Sequence, residues 1–434
     1  MLRSTTITFL TTVLMTVIVF ISSVLTARLL GPTGRGLFSA ALLIGTLAGQ
    51  VAQLGLAPSY VYHMGAGNSF DYTRFLVLSL FVVSAAATAL AGGGLYFGGN
   101  PELLQAWPLV VLVAVFTGLQ SFFLVLAQLR ANLHFLNGMR IFFVAGNALF
   151  LVVLAIAMQS VGFEDILIIQ LIVLALLSAA AGVWAFRHRI WRINVRSAPA
   201  SVREILSYAL YTYGSGLMTT LAANFDKIVL LKLGTVTQFG FYTLAFSVSR
   251  LIGSVQEAIS TSLFARFAGK DVGELDRSVR TSFSVTFLPL LGLALLGALA
   301  SPWLIGLVYG ADFRPVIIPF VILLFECVIT GASATLAQRF NAAGAPGLVL
   351  ARQSISLIPL IVGIPFLTID NALVALPLLM LLCAVIRLVM TLALYHYVLK
   401  EPLPGIRPAA ADLQMAAKIL TQGYGRLTSW RGLS

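Results

Sequence analysis

The chain has 434 residues, of which 59% are hydrophobic and only 10% are charged. A soluble domain has about a quarter charged residues, so this composition excludes a soluble fold, and its apolar content excludes a disordered chain. The formal net charge is +12, but no basic soluble domain with interleaved aromatic residues accompanies it, so the charge does not predict nucleic-acid binding.

The chain contains twelve apolar runs long enough to cross a bilayer, which takes about 20 residues. Short polar segments separate these runs, and the shortest, at residues 369–372, divides the last two. We therefore predict an all-α polytopic membrane protein. The predicted spans cover residues 5–27, 37–61, 75–97, 103–129, 139–160, 163–186, 205–231, 238–264, 281–308, 315–337, 349–369 and 372–398.

Basic residues outside the spans fall mostly on one side of the predicted membrane. Only Arg28, Arg35, Lys232 and Arg314 fall on the opposite side. Basic loops stay in the cytoplasm, so the pattern predicts cytoplasmic N and C termini. It also requires an even number of spans, because an odd number would destroy the alternation.

The longest polar break between spans, residues 187–204, is also the most basic and lies near the middle of the chain. We predict that it is a cytoplasmic linker between two lobes of six helices, residues 1–186 and residues 205–398. Residues 399–434 are predicted to form a cytoplasmic tail.

The two predicted lobes contain a similar segment at the same place, after their first spans. These segments are LLGPTGRGLFSAALLIG at 29–45 and KLGTVTQFGFYTLAFSVS at 232–249. Gly31 corresponds to Gly234 and, after one inserted residue, Gly36 corresponds to Gly240. An even number of spans in each lobe gives the repeats the same orientation, which predicts an axis along the membrane normal and a cavity at the interface.

Sequence motifs of common enzymes are missing from the chain. It has no phosphate-binding GxxxxGK[ST] loop and no HExxH or GxSxG motif. Cys327 and Cys383 lie in apolar runs, and the four histidines have no metal-ligand spacing. We expect a transporter without a metal or cofactor.

Three charged residues, Arg250, Glu326 and Arg387, lie near the middle of predicted spans. An ionisable side chain in hydrocarbon costs about 2.5–3.5 kcal/mol, so such residues face a cavity or a partner. One interpretation is that Arg250 and Arg387 line a substrate cavity. The other is structural pairing, of Arg250 with Glu257 two helical turns away and of Glu326 with Arg387.

Asp226, Lys227 and Arg28 lie near the ends of their predicted spans. At such positions a pair between Asp226 and Lys227, or an arginine reaching to the membrane surface, is a sufficient structural explanation. Arg28 is also a candidate for substrate binding, and Asp226, Lys227, Glu257 and Glu326 are candidates for ion coupling.

Several segments resemble polysaccharide flippases of the Wzx type, which belong to the multidrug/oligosaccharidyl-lipid/polysaccharide (MOP) superfamily. They include ARLLGPTGRGLFSAALLIG at 27–45, VAQLGLAPSYVYHMG at 51–65 and NFDKIVLLKLGTVTQFGFYTLAFSVS at 224–249. EAISTSLFARFA at 257–268 is similar to a family segment in which proline is common at the position of Ala265.

This resemblance implies two six-helix lobes around a central cavity and alternating access. The implied substrate is an oligosaccharide linked to undecaprenyl pyrophosphate, exported across the bacterial inner membrane for polysaccharide or O-antigen assembly. Relatives use cavity cations against the pyrophosphate, a role that Arg250, Arg387 and Arg28 suit chemically. Membrane lipids and other polysaccharide-assembly proteins are the implied partners.

Two other functions stay open at this point. A multidrug exporter of the same superfamily would share the fold and carry different cargo, but the spans of the first lobe contain carboxylates only at one end of the sixth, Glu164 and Asp165, and none deeper for cation coupling. A membrane-embedded glycosyltransferase or polymer ligase would have a long polar external loop, which this sequence lacks.

Overall fold

The computed structural model describes residues 2–65, 71–127, 133–158, 160–187, 201–267, 272–342, 346–400 and 402–405. All regular elements within these ranges are helical, as the apolar runs predict. The α-helices are α1 Leu2–Val51, α2 Leu56–Gly65, α3 Tyr72–Gly98, α4 Pro101–Gln105, α5 Trp107–Ala127, α6 Leu133–Ala157, α7 Phe163–Arg187, α8 Val202–Leu233, α9 Val236–Phe267, α10 Val272–Tyr309, α11 Ile317–Ala342, α12 Pro346–Ser356, α13 Ile358–Gly363 and α14 Ala372–Tyr397. Short 3₁₀ helices cover Ala311–Val316 and Ile364–Phe366.

Helices lie at each of the twelve predicted spans. Nine stretches of the described chain are long and apolar enough to cross a membrane by length and composition, and the first of them, Leu14–Met64, contains part of the first predicted span and all of the second. Helices α8 and α9 are absent from this set; they are less apolar than most of the long helices and carry Asp226, Lys227 and Arg250.

The break between the first two predicted spans lies at Gly31. Its dihedral angles, φ 64° and ψ −176°, are not helical, so α1 consists of two helices that meet there, and the positive φ favours glycine. Pro32 begins the second helix, where the missing N–H removes no helix hydrogen bond. Arg28 and Arg35 therefore lie on either side of this break, and a further break follows at residues 52–55.

The chain separates into two compact units. The N-terminal unit comprises residues 21–240, and the C-terminal unit comprises residues 241–434 together with residues 1–20. The boundaries fall inside α1 and α9. Of the predicted linker 187–204, residues 188–200 lie outside the described residues, as do 401 and 406–434 of the predicted tail. The division into lobes at 1–186 and 205–398 stays a prediction.

Small residues allow close helix packing in the N-terminal unit. A Cβ atom on Gly45 of α1 would lie 2.8 Å from Val113 Cγ1 of α5, and one on Gly49 would lie 2.5 Å from Ala114 O. This Gly-x-x-x-Gly pair therefore brings the backbones of α1 and α5 together, the usual effect of the motif in membranes.

Helix α8 joins this unit through its N-terminal end. Ser201 caps the helix, with a reciprocal capping box to Glu204. The Ser59 hydroxyl of α2 donates a hydrogen bond of 2.7 Å to Ile205 O of α8. The start of the seventh predicted span thus packs against the second.

The C-terminal unit contains a core built by α10, α11 and α14. The Tyr395 hydroxyl of α14 donates a 3.1 Å hydrogen bond to Leu336 O of α11, and its ring packs edge-on against Phe340. Near the start of α10, Asp276 forms ion pairs with Arg280 and with Arg339 of α11. These contacts fix the framework on which the charged residues of the unit are placed.

Candidate functional site

Arg250 of α9 and Glu326 of α11 form an ion pair, with 2.7 Å between Nη2 and Oε2. The Glu326 side chain is 4% exposed and the Arg250 side chain is 30% exposed. The second carboxylate oxygen accepts a 2.7 Å hydrogen bond from the Thr330 hydroxyl, one helical turn further along α11. The carboxylate is therefore held on both sides, while part of the guanidinium stays accessible.

Close contact between α9 and α11 makes this ion pair possible. A Cβ atom on Gly253 would lie 2.5 Å from Cys327 Sγ, so a larger residue there would force the Cys327 side chain to move. One turn later the Gln256 amide donates to Val328 O at 3.3 Å. The Arg250 guanidinium carbon lies 4.4 Å from the centre of the Phe246 ring, a cation–π contact that orients the arginine.

Arg387 of α14 lies within electrostatic range of both Glu326 and Arg250. Its Nε donates a 3.2 Å hydrogen bond to the Ser356 hydroxyl of α12. The interpretation that Glu326 pairs with Arg387 is therefore corrected, because the carboxylate forms its salt bridge with Arg250 instead. Arg387 is half-buried, and among the described residues it forms no direct salt bridge with this carboxylate.

Arg352 of α12 is a third arginine of this group and is only 4% exposed. Its Nη1 donates to Ser333 Oγ at 2.6 Å, Ser333 O at 3.2 Å and Thr391 Oγ1 at 3.0 Å. It binds Thr391 of α14, one helical turn after Arg387, and the Arg387 side chain in turn donates to Ser356 of α12. Together α9, α11, α12 and α14 carry three neighbouring guanidinium groups and, within the described residues, one carboxylate.

This excess of positive charge inside membrane-spanning helices can bind an anion. A guanidinium group presents a planar fork of donors that matches two oxygens of a phosphate. Arg250 and Arg387 are accessible enough to contact a ligand, whereas Arg352 is enclosed. The group forms no metal site: the described residues contain no cluster of three potential ligands among His, Cys, Asp and Glu.

Comparison with protein families shows to which family the chain belongs. The family described as "Polysaccharide biosynthesis protein" matches residues 24–318, which is more than half of the sequence. The chain belongs to this family. No curated protein sequence matches it significantly.

Solved structures show which fold this polysaccharide biosynthesis protein shares. "Lipid II flippase MurJ, inward closed conformation" has a TM-score of 0.71 at 12% identity, with coverage of 98% of this chain and 93% of that chain. An inward-facing multidrug resistance MATE family transporter of the MOP superfamily has a TM-score of 0.61 at 15% identity, covering 87% and 93%. A point mutant of the Vibrio cholerae MATE transporter VcmN has a TM-score of 0.56 at 16% identity, covering 92% and 97%.

At these identities the likeness shows the fold alone. It confirms the predicted class, an all-α multi-pass membrane protein of the MOP type with twelve transmembrane helices in two six-helix lobes. The three structures are a lipid II flippase and two MATE transporters, so the shared fold leaves the cargo open.

The remaining predicted site residues of this family member lie elsewhere. Arg28 is exposed on α1, and Asp226 is buried on α8 with 1% exposure, both in the N-terminal unit. Lys227 Nζ donates a 3.1 Å hydrogen bond to Asn224 Oδ1, one turn earlier on the same helix. Glu257 lies on α9, but its side chain is outside the described part of the structure, so its predicted pairing with Arg250 stays a prediction.

The burial of two arginines of this protein was not predicted. Arg352 lies at the cytoplasmic end of the predicted span 349–369 and Arg35 in the predicted external break after the first span, yet both are buried. Arg35 donates from Nη1 to Ser23 O and from Nη2 to Ser23 Oγ, each at 3.0 Å. The spacing Arg352–Ser356, four residues on one helix face, was a signal of a buried polar strip.

Proposed function

We propose that this protein is a flippase for a lipid-linked oligosaccharide in the bacterial inner membrane, with both termini in the cytoplasm. The lipid carrier attaches the glycan through a pyrophosphate, in keeping with undecaprenyl-pyrophosphate-linked precursors of polysaccharides such as O-antigen. Membership in the polysaccharide biosynthesis family and the fold shared with a lipid II flippase support the substrate class.

The observation that carries the proposal is the excess of guanidinium groups beside Glu326. A pyrophosphate crossing a membrane needs its charge offset, because the hydrocarbon cannot solvate it. Arg250 and Arg387 can each donate two hydrogen bonds to phosphate oxygens, and both are partly accessible. Arg28, the third candidate, is exposed on α1 and would contact the substrate at another stage of transport.

The salt bridge of Arg250 gives Glu326 a role in the transport cycle. A phosphate that binds Arg250 competes with the Glu326 carboxylate, which returns to Arg250 when the phosphate leaves. The carboxylate therefore limits how tightly the anion is held, which favours release on the far side. The substrate is moved without a covalent change, so the protein acts as a transporter and not as an enzyme.

A multidrug exporter is the second candidate, because MATE transporters share the fold. A cationic drug would be repelled by three neighbouring arginines. Within the described helices of the C-terminal unit the local charge thus favours an anionic cargo. A glycan flippase and a drug exporter also differ in what cells lose when the protein is absent, namely surface polysaccharide or drug resistance.

The test measures translocation of a labelled lipid-linked oligosaccharide in membrane vesicles. Arg387→Gln should lower the rate by about 10-fold or more at unchanged protein abundance, since a hydrogen-bonded charge contributes about 1.5–3 kcal/mol. Arg387→Lys should recover part of the rate, because it keeps the charge and loses the fork.

Arg277→Gln is the matched control, because Arg277 is exposed on α10 and should leave the rate unchanged. Normal glycan translocation by Arg387→Gln and by the pair Arg250→Gln/Glu326→Gln would overturn the proposal. Uptake of a cationic dye with no glycan translocation would support the drug exporter instead.

A further inference from the structure

Arg352 differs from another buried arginine of the same unit in what it contacts. Arg339 is 6% exposed and has a carboxylate partner, with 3.7 Å between its Nε and Asp276 Oδ1. Arg352 is 4% exposed, and its hydrogen-bond partners are hydroxyl and carbonyl oxygens of Ser333 and Thr391. Among the described residues it has no carboxylate within salt-bridge distance.

The neutral partners of Arg352 are already committed to other hydrogen bonds. Thr391 Oγ1 donates to Arg387 O at 2.7 Å, so it serves Arg352 only as an acceptor. Ser333 Oγ lies 3.0 Å from Thr391 Oγ1 and 3.4 Å from Arg387 O. These hydroxyls hold the guanidinium in one orientation without neutralising its charge.

Arg387 next to it is held in the same way. Its Nε donates to Ser356 Oγ, whose own hydrogen is donated to Gln353 O at 2.8 Å. The two arginines lie on facing turns of α12 and α14, since each donates to a residue one helical turn from the other. Two like charges enclosed among neutral groups are costly, and a bound counter-charge relieves that cost.

The donors available to such a counter-charge are present. A guanidinium has five N–H donors, and Arg352 Nε is buried without a hydrogen-bond partner in the described structure. The Nε of Arg339 faces the Asp276 carboxylate at 3.7 Å, whereas that of Arg352 has no carboxylate opposite it among the described residues, so an anion can take that place.

We propose that Arg352 and Arg387 bind a small inorganic anion of the chloride type between α12 and α14. The enclosure of Arg352 favours a small ion over a phosphate that carries a lipid and a glycan. Arg387 also belongs to the proposed substrate site, so a phosphate and the small ion would compete for it, whereas Arg352 is assigned to the small ion alone. The site is separate from the Arg250–Glu326 ion pair, where the guanidinium already has a carboxylate.

The experiment compares thermal unfolding of the purified full-length protein in potassium chloride and in potassium gluconate at equal ionic strength. Chloride should raise the unfolding midpoint by about 2–4 °C. Above the concentration that fills the site, the stabilisation should rise with the logarithm of the chloride concentration. Arg352→Gln should abolish the difference between the two salts. Arg339→Gln, the matched buried arginine with a carboxylate partner, should lower stability and keep the chloride effect.

A second measurement follows chloride binding directly by the broadening of its NMR line in the presence of protein. Broadening by the natural protein and by Arg339→Gln, but not by Arg352→Gln or Arg387→Gln, supports the site. The Arg387→Gln variant also serves if Arg352→Gln does not fold. Equal chloride effects in the natural protein, in Arg352→Gln and in Arg387→Gln would overturn the proposed chloride site. Stabilisation by inorganic pyrophosphate but not by chloride would also overturn it.

Discussion

Thr33 of α1 and Thr237 of α9 share a hydrogen bond, with 2.9 Å between their hydroxyl oxygens. The two residues are 204 positions apart, the same separation as the predicted counterparts Gly36 and Gly240. A Cβ atom on Gly240 would lie 2.9 Å from Gly36 N and 3.1 Å from Gly36 Cα. Contact between equivalent positions is expected where two copies meet across a two-fold axis, and the predicted repeat would account for this contact.

Substitution of either crossing glycine should destabilise the protein. Gly240→Ala would place a methyl group against Pro32 O and the Gly36 backbone, and Gly36→Ala would place one against Val236 O. Overpacking of this kind costs about 1–3 kcal/mol, which a lower midpoint of thermal unfolding in detergent would report.

Gly92→Ala is the matched control, because a Cβ atom on this helical glycine of α3 has nothing within 4 Å. Alanine favours the helix by about 0.5–1 kcal/mol there, so its effect should have the opposite sign. A Gly240→Ala protein as stable as Gly92→Ala would show that α1 and α9 do not cross this closely.

The Arg250–Glu326 ion pair predicts an asymmetric double-mutant cycle. Arg250→Gln leaves the buried Glu326 carboxylate without its cation, which costs about 3–5 kcal/mol for a buried pair. Glu326→Gln should cost less, since Arg250 is 30% exposed and stays partly solvated. The pair Arg250→Gln/Glu326→Gln should recover stability relative to Arg250→Gln, as measured by folded-protein yield and unfolding midpoint. Additive losses would mean that the two side chains do not interact.

Anion affinity should rise when Glu326 is neutralised. Glu326→Gln removes the carboxylate that competes for Arg250, so a pyrophosphate-bearing ligand should bind more tightly by about 10-fold or more, the factor for about 1.4 kcal/mol. Thr330→Val, which removes the hydrogen bond to the other carboxylate oxygen, should change affinity less because it alters no charge. Binding of a labelled lipid pyrophosphate to purified protein measures both. Weaker binding to Glu326→Gln than to the natural protein would contradict the competition.

Topology supplies a prediction that is independent of the site. The distribution of basic residues predicts that a reporter fused after Ser434 or inserted within 187–204 is cytoplasmic. A reporter inserted between α3 and α4, at Gly99 and Asn100, should read as external and serves as the control. A reporter within 187–204 that reads as external would remove at least one span from the fold.

The sequence by itself determined the class of fold. Bilayer thickness requires about 20 apolar residues per span, so the lengths of the apolar runs placed the long helices, α3 and α7 among them, to within a few residues. Arg250, Glu326 and Arg387 were visible as candidates for the same reason, since a charge within an apolar run needs a partner or a cavity. The Gly36–Gly240 correspondence also came from sequence alone.

The pairing of these charges was decided only by the tertiary structure. Glu326 meets Arg250 instead of Arg387 because Gly253 lets α9 approach α11 at the level of Cys327. Arg352 is enclosed because hydroxyls from α11 and α14 converge on it, so its burial depends on two helices other than its own. Hydropathy along one segment reports how that segment meets the bilayer, and it contains no information about which side chains of other helices pack against it.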